Sequence, residues 1–262
     1  FIELKNFTKK NGLLFISTPF DLDSAKLLCK ICDIVKIASS DNNYLELIDT
    51  VCLSSKPIII STGLLELEEI VRLYRYIINK HGKKIKKRLA FLHCITSYPA
   101  KNEDLNLNFI KILKKKIDCS IGFSDHSKGP IASILSASLG AEIIEKHFTM
   151  SKKFSKFRDH ALSADANEME FIVKNTKNII SMMGHEREKI KKNEKKNLII
   201  VRRSIFANKF IEKNKKIERS DLKIVRPGNG LGPENMKKII GKVSKKNIKE
   251  DSLIYLNYIF DK

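Results

Sequence analysis

Short apolar runs of strand length alternate, along the first two thirds of the chain, with longer stretches in which apolar residues recur at helical spacing. The strand candidates are residues 13–17, 34–38, 57–61, 89–95, 118–123 and 141–147. Between them, residues 22–31, 44–54, 67–80, 105–115 and 131–139 each put apolar side chains on one face and lysines or acids on the other. A further helix is announced by Asp165 and Glu168 in capping-box spacing, with Met169, Ile172, Val173, Ile179, Ile180 and Met183 on one face.

Repeated strand-then-helix units imply a parallel sheet, either doubly wound or closed as a (β/α)₈ barrel. The strand ends discriminate. Each candidate finishes in a polar cluster: Ser17-Thr18-Pro19, Ser39-Ser40-Asp41, Ser61-Thr62-Gly63, His93 to Tyr98, Ser124-Asp125-His126 and Glu145-Lys146-His147. A doubly wound sheet gathers its site at one switch point, whereas a barrel draws functional residues from many strand ends. The pattern therefore predicts an α/β barrel over residues 1–185. Six units fall short of the eight, and roughly 250 residues, of a typical barrel. Phe1 lies in a helical pattern feeding the first strand, so about two N-terminal βα units are expected to precede it. Residues 186–197 read as a charged linker. Residues 198–262 read as a small β-rich domain, with strand candidates at 198–207, 221–225 and 253–260 broken by the turn-rich stretch 227–233.

Composition narrows the function classes. With 42% hydrophobic residues in 262, the chain can build a packed core, and no apolar run approaches the roughly 20 residues of a membrane-spanning helix. Five scattered cysteines do not form the disulfide framework of a small secreted domain and point to a reducing compartment, hence a cytoplasmic protein. The formal net charge of +20 invites a polyanionic partner. Only nine of the basic residues are arginine, though, and planar recognition of phosphates and bases favours arginine. The excess of lysine, with abundant asparagine and isoleucine, fits a compositional bias. Neither a nucleic acid nor a membrane is expected as a partner.

His126 and His147, at the ends of consecutive strands, would face one mouth, where two imidazoles with open positions suit a divalent ion; the alternative is an ordinary local hydrogen bond for each. Asp125 could orient one ring. Thr18, Lys36, Ser39, Ser61 and Ser124 gather at the same rim. Lys36 lies inside an apolar strand and needs an anionic partner: a bound phosphate or carboxylate, a carboxylate of a neighbouring strand, or a role as a Schiff-base lysine. Cys29 and Cys32 have CxxC spacing without a second pair, so buried helix cysteines are the simpler reading. Cys94 and Cys119 fall on predicted core strands, and His160 follows Asp159 in a loop from which either could reach the mouth.

The segments FISTPFD (15–21), KIASSDNNY (36–44), PIIISTGL (57–64), LHCITSYPA (92–100), IGFSDHSKG (121–129), IEKHFT (144–149) and RPGNG (226–230) resemble, in order, the sialic acid synthase family of N-acetylneuraminate, legionaminate and pseudaminate synthases. The resemblance implies a (β/α)₈ barrel followed by an antifreeze-like SAF domain. It also implies condensation of phosphoenolpyruvate with an open-chain N-acetylated amino-hexose, N-acetylmannosamine or a 2,4-diacetamido relative, giving a nine-carbon 2-keto acid with phosphate lost by C–O cleavage. By motif, His126 and His147 resemble ligands of Mn²⁺, with Mg²⁺ or another divalent ion an alternative. Lys36 and Asp41 resemble catalytic groups; Thr18, Ser39, Ser61, Tyr98 and Ser124 resemble phosphoenolpyruvate contacts. Asp159 and Arg226 resemble sugar contacts, Arg226 from the partner subunit of a domain-swapped homodimer. Other readings are a pseudaminate synthase or a non-catalytic carbohydrate- or polyanion-binding protein on the same scaffold. The family's first-strand glutamate motif and an early lysine have no counterpart after Phe1, which would leave this chain without part of the site. Asp41 stands where many members have Glu, Thr96 where relatives have Asn or Ser, and the Met150-Ser151-Lys152 and Arg158-Asp159 loop departs from the family pattern.

Overall fold

A computed structural model describes residues 1–155, 159–184 and 189–259; Arg158, His185 and the start of the expected linker lie outside the described residues. The chain divides into two compact units, Phe1–Gly184 and His185–Lys262.

In the first unit, helix α1 (Ile2–Lys10) leads into strand β1 (Ile16–Ser17), and units follow in the order α2 (Leu22–Ile31), β2 (Ile34–Ile37), α3 (Leu45–Cys52), β3 (Ile58–Ser61), α4 (Leu67–His81), β4 (Leu89–Cys94), α5 (Phe109–Lys116), β5 (Ser120–Asp125), α6 (Ile131–Ser138), β6 (Ile144–Lys146) and α7 (Ala166–Met183). The six strands form one sheet in sequence order, every neighbouring pair parallel. Sequence order without reversal is the winding of a barrel, not of a doubly wound sheet, which turns back at a switch point. β1 and β6 stand at the two ends of this order, so among the described residues the sheet is an open six-stranded one and not a closed eight-stranded barrel.

Register sorts the side chains into two faces. Parallel pairing aligns Lys36 with Ile59, Ser61 with Leu92, Cys94 with Ser124, and Ser124 with Glu145. Because side chains alternate along a strand, Ile34, Ile59, Ala90, Leu92 and Ile143 share one face, where they form a small apolar layer, and Lys36, Ser61, Cys94, Ser124 and Glu145 continue that face toward the strands' C-terminal ends. The opposite face carries Val35, Ile37, Ile58, Ile60, Phe91, Ile121 and Phe123, all nearly inaccessible, packed against the apolar stripes of α2 to α5 in the main core. Gly122 lies where the faces crowd: a Cβ there would come within 2.5 Å of both the Ile143 carbonyl oxygen and the Leu92 side chain.

Local signals set the helix ends. Asp21 accepts from Ser24 N–H at 2.7 Å at the start of α2, and Glu69 accepts from Glu66 N–H at 2.8 Å at the start of α4. At α7, Asp165 accepts from Glu168 N–H at 3.0 Å. Its predicted apolar face is covered only in part: Ile172 is buried and Met169 and Ile179 are half-buried, whereas Val173, Ile180 and Met183 are exposed, because packing partners and not periodicity decide what a stripe covers. The helix expected over 105–115 begins only at Phe109, after a 3₁₀ turn at Asn102–Asp104.

The second unit departs further from expectation. Leu198–Val201 forms a short helix, α9, after another, α8 (Lys192–Lys195); the strand expected over 198–207 is confined to β7 (Ser204–Ala207). A four-residue apolar run does not distinguish strand from helix by itself. β7 pairs antiparallel with β8 (Leu222–Val225), while the expected strand at 253–260 is reduced to isolated bridges at Leu253 and Ile259 with a 3₁₀ turn, Leu256–Tyr258, between. Ile205, Ile211, Ile217, Leu222, Ile239, Ile248 and Ile254 make its core.

Asp221 anchors this unit. Fully buried, it accepts from Glu218 N–H at 2.8 Å, Lys215 Nζ at 2.9 Å and Lys209 Nζ at 3.0 Å. Burial alone would raise its pKa, but the Glu218 N–H and the two ammonium groups outweigh it and hold the carboxyl at about 2. The folded value lies below the unfolded one of about 3.9, so the stabilisation is complete above that pH and is lost as pH falls toward 2. Asp221→Asn should cost the unit about 1–3 kcal/mol at pH 7, read as faster amide exchange in β7 and β8, with the gap to wild type closing in acid. An unchanged gap at low pH would contradict the assignment.

Candidate functional site

The C-terminal rim of the sheet brings the polar row together. Lys36 is nearly buried, yet its Nζ donates to Ser61 Oγ at 2.7 Å and lies 3.4 Å from Glu145 Oε1. Ser124 Oγ donates to the same Glu145 oxygen at 2.6 Å. The carboxylate partner that a lysine in an apolar strand requires is thus Glu145, reaching from the other end of the sheet. Ser39 lies beside this row, its Oγ accepting from Gly63 N–H at 3.2 Å. The approach is close enough that a Cβ on Gly63 would fall 2.1 Å from Thr96 Oγ1 and 2.7 Å from Ser39 Oγ. Asn42 is buried beneath it and donates to the carbonyls of Ser61 at 3.2 Å and Gly63 at 2.9 Å, so it fixes the backbone after β3.

The histidine pair adjoins the row. The imidazoles of His126 and His147 have centroids 5.4 Å apart and are inclined at 71°. Tyr98 packs on both, 4.2 Å from His126 and 5.8 Å from His147 between centroids. His126 Nδ1 lies 2.8 Å from the Ile95 carbonyl, which can only accept. Nδ1 therefore donates, which leaves Nε2 as the nitrogen free to face a ligand. His147 is held by the chain's return past β6: Ala164 N–H donates to the His147 carbonyl at 2.8 Å, and the turn at 159–163 brings Asp159 Oδ2 to 3.6 Å from His147 Nδ1. Burial, and then the neighbouring His126, lowers the pKa of His147 and favours the neutral ring that binds metals. Cys94 Sγ lies 3.8 Å from His126 Nδ1, and burial raises that thiol's pKa.

Among the described residues no cluster of three or more His, Cys, Asp and Glu side chains could hold a metal ion. The donor set present is two imidazoles, one with its tautomer set by a backbone carbonyl and one faced by a carboxylate. It fits a divalent ion whose remaining positions go to water and substrate oxygens.

Asp125 does not orient either ring. One carboxylate oxygen accepts from Ser127 N–H at 2.8 Å and Ser127 Oγ at 2.7 Å; the other accepts from Ser133 Oγ at 2.5 Å and lies 3.0 Å from Lys146 Nζ. Its position in the strand points it to the helix-packed face, one residue out of step with Ser124. Asp41 sits in a 3₁₀ turn, partly exposed, and accepts from Ser40 Oγ at 2.6 Å; Thr18 lies just beyond β1, partly exposed. His160 Nδ1 is 2.8 Å from Thr149 Oγ1, its ring beside Phe154. His93 faces the helices, its Nε2 2.7 Å from the Leu105 carbonyl. Cys29 and Cys32 close α2, with Cys32 inaccessible, and all five cysteines are free; Cys119 precedes β5 and is only partly buried. Arg226 belongs to the second unit, exposed, with Nε donating to the Val201 carbonyl at 2.9 Å. Glu145 and Asn42 are the rim residues that motif reading passed over. Strand parity marks the first, two positions before His147.

Known proteins place this geometry. The NeuB family matches residues 1–188 and the SAF domain residues 202–258. The chain is 37% identical over 253 residues to N,N'-diacetyllegionaminic acid synthase of Campylobacter jejuni, covering 96% of this chain and 75% of that protein. It is 33% identical over 242 residues to pseudaminic acid synthase of the same species, covering 92% and 69%. Among solved structures, the N-acetylneuraminic acid synthetase of Leptospira borgpetersenii superposes with a TM-score of 0.68 at 34% identity, covering 75% of this chain and 67% of that one. With an open six-stranded βα sheet wound as a barrel, a SAF domain following it in sequence and synthases of sialic-type acids as its relatives, the chain belongs to the NeuB family of sialic acid synthases.

Proposed function

We propose that the protein condenses phosphoenolpyruvate with an open-chain N-acetylated amino-hexose, and that the acceptor is the 2,4-diacetamido-2,4,6-trideoxy sugar that leads to a legionaminic-type acid. The observation that carries this reading is the buried Lys36, hydrogen-bonded to Ser61 and facing Glu145 with Ser124, beside the His126–His147 pair. Within Campylobacter jejuni the legionaminic synthase is the more identical, 37% against 33% for the pseudaminic one, and favours the first acceptor; the Legionella pneumophila legionaminic synthase, at 30%, keeps the pseudaminic precursor as the second reading.

On this reading Lys36, Ser61, Ser124 and Ser39 hold the anionic groups of phosphoenolpyruvate, so that its C3 faces the sugar aldehyde carbon. A C3–C1 bond forms as the aldehyde π electrons pass to its oxygen, which takes up a proton, and positive charge appears at C2. Water adds there, losing a proton. The C2–O bond to phosphate then breaks, and inorganic phosphate leaves as the 2-keto group forms. His126 and His147 would hold a divalent ion, Mn²⁺ or Mg²⁺, which supplies Lewis-acid polarisation of the aldehyde oxygen. Tyr98 shields the histidines, while Thr18 and Asp41 stand at the mouth. Asp159 and, from the SAF domain of a partner subunit in a domain-swapped homodimer, Arg226 would meet the sugar hydroxyls. Five free cysteines suit a cytoplasmic setting.

The test is phosphate release from phosphoenolpyruvate with Mn²⁺ and each candidate sugar in turn. Release is expected with the diacetamido sugar, and His126→Ala or His147→Ala should remove both turnover and Mn²⁺ binding measured by electron paramagnetic resonance. Absence of release with every such sugar would overturn the reading.

A further inference from the structure

We propose that Glu145 is a resident anion of the substrate pocket, occupying the groups that receive the anionic substrate and yielding them when it binds. The inference deepens the proposed function and rests on its reading of the Lys36 row as an anion-binding row.

The geometry is specific. Lys36 is 9% exposed at its side chain, and an ammonium so placed is costly without a counter-charge. Glu145 supplies that charge through one oxygen, Oε1, which takes the Ser124 hydroxyl at 2.6 Å and faces Lys36 Nζ at 3.4 Å. Both groups are thereby oriented toward a single point. A phosphate or carboxylate arriving from solvent needs these same two donors, and two anions cannot share them without strong repulsion at this spacing. The Glu145 carboxylate is joined to this pair only by hydrogen bonds and charge, on a side chain with free rotation about its own bonds. Ser61 accepts a separate hydrogen bond from Lys36 at 2.7 Å, one that does not involve Glu145 and would hold the ammonium in place during the exchange.

The arrangement resolves a conflict in the site. A row selected to bind an anion would, when empty, leave a buried cation uncompensated; an internal carboxylate fills the gap but competes with the ligand. Affinity for the substrate is then set partly by how readily Glu145 leaves, which makes it a tuning position that does not itself enter the chemistry.

The experiment is calorimetric titration of the protein with inorganic phosphate and with phosphoenolpyruvate, without acceptor sugar. Glu145→Gln preserves shape and hydrogen bonding while removing the charge, and should tighten both anions about tenfold; Glu145→Ala should do the same, and Lys36→Met should abolish the gain in either background. Unchanged or weaker binding in folded Gln and Ala variants overturns the proposal. Should neither variant fold, a crystal of the wild-type protein soaked in phosphate decides: a displaced Glu145 supports the exchange, and one still on Lys36 and Ser124 beneath a bound phosphate refutes it. Phosphate release by the wild type without any gain in Glu145→Gln defeats this inference alone. A gain in affinity without release from any sugar defeats the synthase reading and leaves the anion exchange standing.

Discussion

Replacing Lys36 by methionine should lower kcat/KM for phosphoenolpyruvate by about 10²–10³-fold, the loss seen when one preorganised donor is taken from a water-excluded site. The fold should tolerate the change. Lys36 is nearly buried between Ile34 and Ile37 in a strand whose other face is wholly apolar, and methionine fills similar volume without a charge to desolvate. Removal of the ammonium leaves Glu145 the hydrogen bond from Ser124, and Ser61 needs only a new partner of modest worth. A large kinetic loss with a melting temperature close to wild type is therefore the expected pair of results. Steady-state phosphate release and a thermal melt on the same sample provide it. Near-normal turnover would show that the row at the ends of β2, β3 and β5 does not hold the substrate.

Asp125→Ala should have the opposite signature, a loss of about 3–5 kcal/mol in stability. Asp125 is inaccessible and Lys146 is 2% exposed at its side chain, so deleting the acid strands an ammonium with no route to solvent. Three further donors lose their acceptor: Ser127 N–H, Ser127 Oγ and Ser133 Oγ. The reverse deletion, Lys146→Met, should cost less, because those donors still satisfy the carboxylate. Removing both charges with Asp125→Leu and Lys146→Met should recover part of the loss. Urea unfolding of the four proteins measures the series, and equal costs for the two single substitutions would contradict the asymmetry argued from the donors.

Much of the first unit was legible in the sequence, for reasons visible in particular residues. Runs such as Ile58-Ile59-Ile60 are apolar on both faces because both faces are covered, and the polar residue that ends each run marks the rim. His126 and His147 were legible because the rim is where such strands end. Asp125 was misread since adjacency in sequence is opposition in a strand: a single step moves a side chain from the site to the helix layer. Glu145 was passed over because its partner, Lys36, lies four strands away in the sheet, and only the curl of the sheet brings the two together. In the second unit, where strands are short and much of the pairing is by isolated bridges, the apolar runs at 198–201 and 253–260 carried no period long enough to separate strand from helix or coil.

The alternation of faces has a consequence for how such a protein can change over generations. At the end of β5, Ser124 faces the rim row and Asp125 the helix layer; at the end of β6, Glu145 and Lys146 divide in the same way. Neighbouring codons thus answer to separate selective pressures, and one can drift with the ligand the rim holds while the other stays pinned by the scaffold. A change of ligand at the rim does not require the framework to be rebuilt, only every second letter there to be rewritten.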